Sequence, residues 1–221
     1  MLHLTQMSQS KKICPFTCRE MVPSDVEQAN AIERDAFPDL FPPTSFSKEL
    51  KRDRATILVA EVNENVTGWQ KLIPPHHDSI SNTNLYRNGY TGYGKGQKFL
   101  TGLLMFWEMA GEAHIMSIGV RRDFRQRGIG ELLMLNCFSK CVRSAYTTIS
   151  LEVRGSNKAA QELYLKHGFL VEGIHKGYYS DNREDALIMN AREILSPSHI
   201  QRISDRKKTY TELHGQLTES S

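Results

Sequence analysis

The sequence predicts an α/β fold: a single domain in which helices flank a mixed, largely antiparallel central sheet. Three observations carry that expectation. The 221 residues suit one well-buried core and are few for two. Stretches with apolar residues at helical spacing alternate along the chain with β-branched, strand-like runs. One such strand leads through a short basic loop and two glycines straight into a helix.

Taken in order, the opening stretch is polar and without period, so residues 1–18 are expected to be disordered. From 24 to 36, Val26, Ala29, Ile32 and Ala36 fall at helical spacing, with Ser24 or Asp25 available as cap. Pro38, Pro42 and Pro43 force a loop, and a short helix over 45–52 follows Thr44. Residues 56–62 read as a strand, and Asn63-Glu64-Asn65 reads as a tight turn into another strand over 66–73. The stretch 74–98 is rich in Asn, Ser, Gly and Tyr, and reads as a mobile insertion in preference to a functional lid. A hairpin follows, with strands over 99–109 and 113–120 and a turn at Gly111-Glu112. Leu132, Leu133, Phe138, Cys141 and Val142 mark a helix over 129–142. Residues 147–153 make a β-branched strand, and 157–167 a helix stopped by Gly168. Final strands are expected over 169–172 and 184–189. Beyond Ser196 the chain turns polar and charged, so the domain is expected over 19–195 and a peripheral tail over 196–221.

Composition removes several function classes. An apolar share of 39% with 24% charged residues belongs to an ordinary globular protein. The net charge of +3 is too small to point to nucleic acid, and the clustered Arg121, Arg122, Arg125 and Arg127 sit beside glycines, which suits a smaller anion. Cys14 and Cys18, like Cys137 and Cys141, are four apart, and no Cys-x-x-Cys or His pair completes a metal set; Cys137 and Cys141 read as small apolar fillers of a helix. No metal is expected. Residues 1–12 lack the apolar run of a secretory signal, and the greasiest run, 99–110, is too short to span a bilayer. The expected setting is cytoplasmic, with no membrane partner.

The densest chemical signal runs from Ile118 to Gly130. An apolar strand ends at Val120, a basic loop follows, and Gly128 and Gly130 open a helix. A helix start offers unpaired N–H groups and the positive end of the dipole, and glycines let an anion approach the backbone. A diphosphate is the natural guest. The spacing is neither a Walker loop, since no Gly-Lys-Ser/Thr follows, nor a dinucleotide fingerprint, since the third glycine is missing.

Arg125-x-x-Gly128-x-Gly130 after an apolar strand resembles the acetyl-CoA diphosphate loop of the GNAT superfamily of N-acetyltransferases. Leu151-Glu152-Val153-Arg154-Gly155-Ser156-Asn157-Lys158-Ala159-Ala160 and Leu163-Tyr164-x-x-x-Gly168-Phe169 resemble one branch of it, the ribosomal-protein-alanine N-acetyltransferases (RimI type). Tyr178-Tyr179 and Arg183-Glu184-Asp185-Ala186-x-x-Met189 continue the likeness, which spans 113–189; Ala36-Phe37-Pro38 resembles the family's N-terminal part. The resemblance implies acetyl-CoA as cosubstrate and a protein N-terminus as acceptor, in that branch the N-terminal alanine of ribosomal protein S18. It implies that Ile118, Gly119 and Val120 present strand backbone to the pantetheine arm and thioester, that Arg125, Gln126, Arg127, Gly128, Ile129, Gly130 and Glu131 wrap the diphosphate, and that Asn157 bonds the CoA moiety. Glu152 matches the family's general base and Tyr164 its general acid.

Chemistry agrees with those roles. Acyl transfer from a thioester needs a neutral amine, a polarised carbonyl and a proton for the departing thiolate. Glu152 lies between Leu151 and Val153 on a strand, so its side chain points away from theirs. An N-terminal amine, with pKa near 8, is already about one-tenth neutral at pH 7, while a lysine near 10.4 is neutral in less than about one part in a thousand. A carboxylate base therefore suits an N-terminus. Tyr164, a phenol of pKa near 10, can donate to a thiolate of similar basicity. Tyr178 and Tyr179 fit a peptide channel or hairpin packing; His114 and His167 read as structural. Two other readings stay open: acetylation of other protein N-termini or a small-molecule amine, and a non-catalytic acyl-CoA-binding regulatory module. The proline-rich 39–44 loop and the 74–98 insertion depart from the compact family pattern and bear on acceptor choice.

Overall fold

The computed structural model describes residues 12–39, 42–73 and 97–218. The chain begins with a strand, β1 (Phe16–Glu20), then the helices α1 (Val26–Ala36) and α2 (Phe46–Glu49) and the strand β2 (Ala55–Val62). A hairpin of β3 (Leu100–Met109) and β4 (Glu112–Val120) leads to α3 (Ile129–Arg143), β5 (Thr148–Arg154) and α4 (Lys158–Lys166). β6 (Leu170–His175), β7 (Ala186–Arg192) and α5 (Pro197–His214) complete it. Among the described residues the strands form one seven-stranded sheet, ordered β1-β2-β3-β4-β5-β7-β6. Every neighbouring pair is antiparallel except β4 and β5. The expected α/β class, a mixed and mostly antiparallel sheet flanked by helices, is the one the chain forms.

Strand parity explains the layers. Ile57 and Val59 of β2, with Leu103 and Met105 of β3, pack under Ala29 and Ile32 of α1. Leu58, Ala60, Leu104 and Phe106 point the other way, into a larger core beneath α3. β2 is therefore buried on both faces, which is why it reads as a continuous apolar run. The β3–β4 hairpin turns on Ala110 (φ 53°) and Gly111 (φ 82°), the two left-handed residues that a two-residue hairpin loop of matching twist requires.

Two expectations for the first part of the chain give way to structure. Within the stretch 1–18, expected to be disordered, residues 1–11 lie outside the described residues, but Cys14 is buried and β1 pairs with β2 as an edge strand. Its alternation is masked because the outward residues are polar but tied down: Arg19 bridges Asp25 at 2.6 Å and Glu61 at 2.7 Å. The strand expected over 66–73 is instead a 3-10 turn, Trp69–Leu72, entered through Gly68 in the left-handed region (φ 80°), which breaks any extended run. The insertion expected over 74–98 lies outside the described residues from 74 to 96.

The peripheral tail expected over 196–221 is largely the helix α5, capped by Ser196 and packed along α3. Its inward stripe is His199, Ile203, Arg206, Tyr210 and His214, at helical spacing but mostly polar, so apolar periodicity does not reveal it. The trace of α5 in the sequence lies on its partner. Leu132, Leu133, Met134 and Leu135 are consecutive and all buried, which a helix covered on one side alone does not achieve. Cys137 and Cys141 are fully buried on the same helix.

Candidate active site

β4 and β5 pair in parallel only from Ala113↔Ile149 to Ile115↔Leu151. Beyond Ile115 a bulge at Met116 adds a residue to β4 opposite the Met105–Phe106 step of β3. The bulge also reverses parity. Before it Ala113 and Ile115 face the α3 core; after it Ile118 and Val120 do. Gly119 then faces α1, where a Cβ would lie 3.2 Å from both Ala36 Cβ and Phe37 Cε2. The result is a split between two strands, lined on the β4 side by the backbone of Ile118, Gly119 and Val120, which has no ladder partner on β5.

At one end of the split the chain passes through a 3-10 turn, Arg122–Phe124, and enters α3. Gln126 (φ 60°) and Gly128 (φ 81°) are both left-handed, and Gly128 is the N-cap residue with no side chain to cap the helix. The first amide bonded within the helix is Leu132 N, to Gly128 O, so the amides of Ile129, Gly130 and Glu131 sit at the positive pole of α3 without helical acceptors. Such a backbone arrangement suits an anion.

The side chains around it depart from expectation. The space at Gly128 is filled by His214, whose Nε2 would lie 2.6 Å from a Cβ there, and the space at Gly130 by Leu163. These glycines thus admit neighbouring helices, while the loop offers its N–H groups. Glu131 is ion-paired with Arg206, so only its amide faces the loop's task. Of the basic cluster, Arg121 is buried, with Nε on Leu100 O at 2.7 Å, and Arg122 is tied to Asp35. Arg125 is exposed and Arg127 lies over Phe124, leaving these two at the loop. Asn157 is exposed as the N-cap of α4, its Oδ1 accepting from Ala160 N at 3.2 Å, which leaves its Nδ2 as the donor for a ligand.

At the other end, Glu152 projects from β5 on the face opposite Leu151 and Val153. Its Oε2 lies 3.0 Å from His114 Nε2, and His114 Nδ1 lies 2.8 Å from Ser150 Oγ. The ring thus bridges Ser150 and Glu152, and Nε2 donates to the carboxylate when it carries the proton. The sequence alone marks His114 as structural. Its place opposite Ser150 in the short parallel ladder is what brings it to Glu152, a pairing that no local pattern announces.

Tyr164 on α4 is 4% exposed, and its phenol makes no hydrogen bond among the described residues. Burial holds that phenol well above its usual range, so it stays protonated. Tyr179 interacts electrostatically with both Glu152 and Tyr164, and burial pushes its own phenol up to about 12. Tyr178 packs edge-on against Tyr179 at 5.1 Å, and Arg154 lies 3.8 Å over the Tyr179 ring. Arg154 is in turn held by Asp181 at 2.9 Å and Glu184 at 3.3 Å, and Lys176 by Asp185 at 2.6 Å. The acidic side chains of the loop between β6 and β7 are therefore paired with Arg154 of β5 and with Lys176, and the same loop carries two phenols.

The sequence profile of the Acetyltransferase (GNAT) family matches residues 26–169. Over 188 residues the chain is 30% identical to an N-alpha-acetyltransferase of Sulfurisphaera tokodaii, covering 84% of this chain and 98% of that one. It is 39% identical over 107 residues to a Bacillus subtilis protein with the provisional name ribosomal protein bS18-alanine N-acetyltransferase, covering 48% of this chain and 71% of that one. Among solved structures, the ribosomal-protein-S18-alanine N-acetyltransferase from Escherichia coli superposes with a TM-score of 0.58 at 23% identity, over 80% of this chain and 94% of that one. This last likeness speaks for the fold alone.

Proposed function

The chain belongs to the acetyltransferase (GNAT) family and is an N-acetyltransferase, and we propose that it transfers the acetyl group of acetyl-CoA to the N-terminal α-amine of a protein. The observation that carries this reading is the pairing of Glu152 with His114 at the chemical end of a strand split whose other end is a backbone anion site. The donor set fits acetyl-CoA: a helix start with free amides for a diphosphate, and unpaired strand backbone for an amide-bearing arm.

When bound, the thioester supplies the acetyl group, its C–S bond breaking as the N–C bond forms. Glu152 accepts the proton of the incoming ammonium, and His114 orients the carboxylate through Nε2. Tyr164 gives its proton to the departing sulfur. Tyr178 and Tyr179 flank the acceptor side. Because Asp181, Glu184 and Asp185 are already bound to Arg154 and Lys176, this loop is a poor trap for a polyamine. A chain end with one positive charge suits it better.

Within that class the acceptor we favour is an N-terminal alanine exposed after methionine removal, as in ribosomal protein bS18; relatives bearing that name support it. The setting we favour is cytoplasmic. No helix among the described residues is long and apolar enough to cross a membrane. The test is thiol release from acetyl-CoA against peptides beginning with alanine, the same peptides with blocked N-termini, and spermidine. The reading expects turnover with free alanine termini to exceed that with both others. Faster turnover of spermidine would overturn the choice of acceptor.

A further inference from the structure

The helix α5 lies outside the family match, which ends at residue 169, yet it is docked on the loop that the cofactor reading depends on. It starts beside Gly168, where His199 and Arg202 approach, and runs along α3 until His214 meets Gly128. Several contacts fix that far end. A Cβ on Gly128 would lie 2.6 Å from His214 Nε2 and 2.7 Å from Cε1, so the ring rests directly against the N-cap of α3. Arg206 Nε donates to Glu131 Oε1 at 3.0 Å. Tyr210, 1% exposed, stacks 4.6 Å from His214 and meets Cys14 Sγ at 3.7 Å. Past the helix, Cys14 N donates to Gln216 O at 2.9 Å and Gln216 N to Lys12 O at 2.7 Å, which ties the strap to the start of the described chain.

Gly128 and Glu131 bracket the free amides of α3, so α5 touches both edges of the anion site without occupying it. The loop also stores strain, because Gln126 is a non-glycine residue at φ 60°. Such a conformation persists when the surroundings over-determine it. Behind Gly128 the surroundings are α5.

We propose that α5 is a positioning strap for the diphosphate loop, with His214 behind Gly128 and Arg206 on Glu131 holding the first turn of α3 in its ligand-binding geometry. This rests on the acetyl-CoA reading above. Neither side chain takes part in the transfer; both lower the ordering cost of binding by fixing the loop beforehand. The strap therefore acts on cofactor affinity and leaves the rate at saturating cofactor alone.

The experiment measures CoA affinity by calorimetry, and KM and kcat by thiol release with an alanine-starting peptide, on the full chain. It compares the wild type with His214→Ala, Arg206→Ala and His214→Phe, each also followed by thermal melting. In the two alanine variants, CoA Kd and acetyl-CoA KM should rise about fivefold or more, the scale on which supporting residues couple to a site, with kcat unchanged. His214→Phe, which restores a ring against Gly128, should bring affinity back towards the wild type. Unchanged affinity in both alanine variants would overturn the strap. So would a loss of affinity that follows the melting temperature, lowers kcat in parallel and is not rescued by Phe. A wild type that binds no CoA would overturn the cofactor reading, and the strap with it, and is told apart from the other outcomes by the wild-type titration alone.

Discussion

The two ends of the strand split are built on different principles. At the anion end of the proposed site, the donors are the backbone amides of one contiguous stretch, Ile129 to Glu131, at the start of α3. At the chemical end, the proposed groups come from β4 (His114), β5 (Glu152), α4 (Tyr164) and the β6–β7 loop (Tyr179), and they are side chains. A contiguous backbone site tolerates side-chain change but not a change of φ. An assembled site has the opposite sensitivities. Mutations at the two ends should therefore separate binding from chemistry.

The largest effect is expected at Tyr164. Tyr164→Phe should lower kcat about a hundredfold or more, the usual scale of a general acid, with CoA affinity unchanged. A comparable rise in CoA Kd would blur the division between the ends. Next comes Glu152→Gln, whose loss of kcat/KM should shrink as pH rises past about 8, where the α-amine has shed its proton without help. A defect independent of pH would leave Glu152 a structural residue. His114→Gln should cost about tenfold, as expected for a group that orients a reacting carboxylate from behind.

At the anion end, Gly128→Ala meets both a left-handed φ and the His214 ring, and should abolish the rise in melting temperature that acetyl-CoA gives by mass action. Gly111→Ala is the control: its φ is 82° and it has open space around it, so it carries the backbone strain far from the site and should keep the acetyl-CoA response. If both variants lose the response, general strain and not the loop is responsible.

The smallest effect is a pH dependence of stability. His167 and His199 both stack on Phe138, at 5.9 and 5.2 Å, and burial holds both imidazoles below the usual 6.5. The folded protein thus binds fewer protons than the unfolded chain below pH 6.5, so stability is complete above that pH and falls as pH drops towards the lowered values. Melting curves between pH 7.5 and pH 5 should show it, and His199→Leu should flatten it.

Legibility followed the same division. The loop from Arg125 to Gly130 could be read because its glycines and its strand-to-helix setting are adjacent in sequence. Glu152 and Tyr164 stand out as candidates through the motif around them. His114 does not, because its contact with Glu152 rests on a three-residue parallel ladder between elements 36 residues apart. In the fold, strands buried on one or both faces are legible, while β1 and α5 are not: the outward residues of β1 are tied down by salt bridges, and histidines take the place of aliphatic residues on α5. The run Leu132 to Leu135 was the available sign that something covers α3 from outside.

The transfer itself is tested most directly by locating the acetyl group. A peptide that begins with alanine and carries an internal lysine, incubated with the enzyme and acetyl-CoA, should yield a product whose fragment masses place a single acetyl group on the α-nitrogen. Acetyl on the lysine side chain, with the α-amine free, would contradict the account.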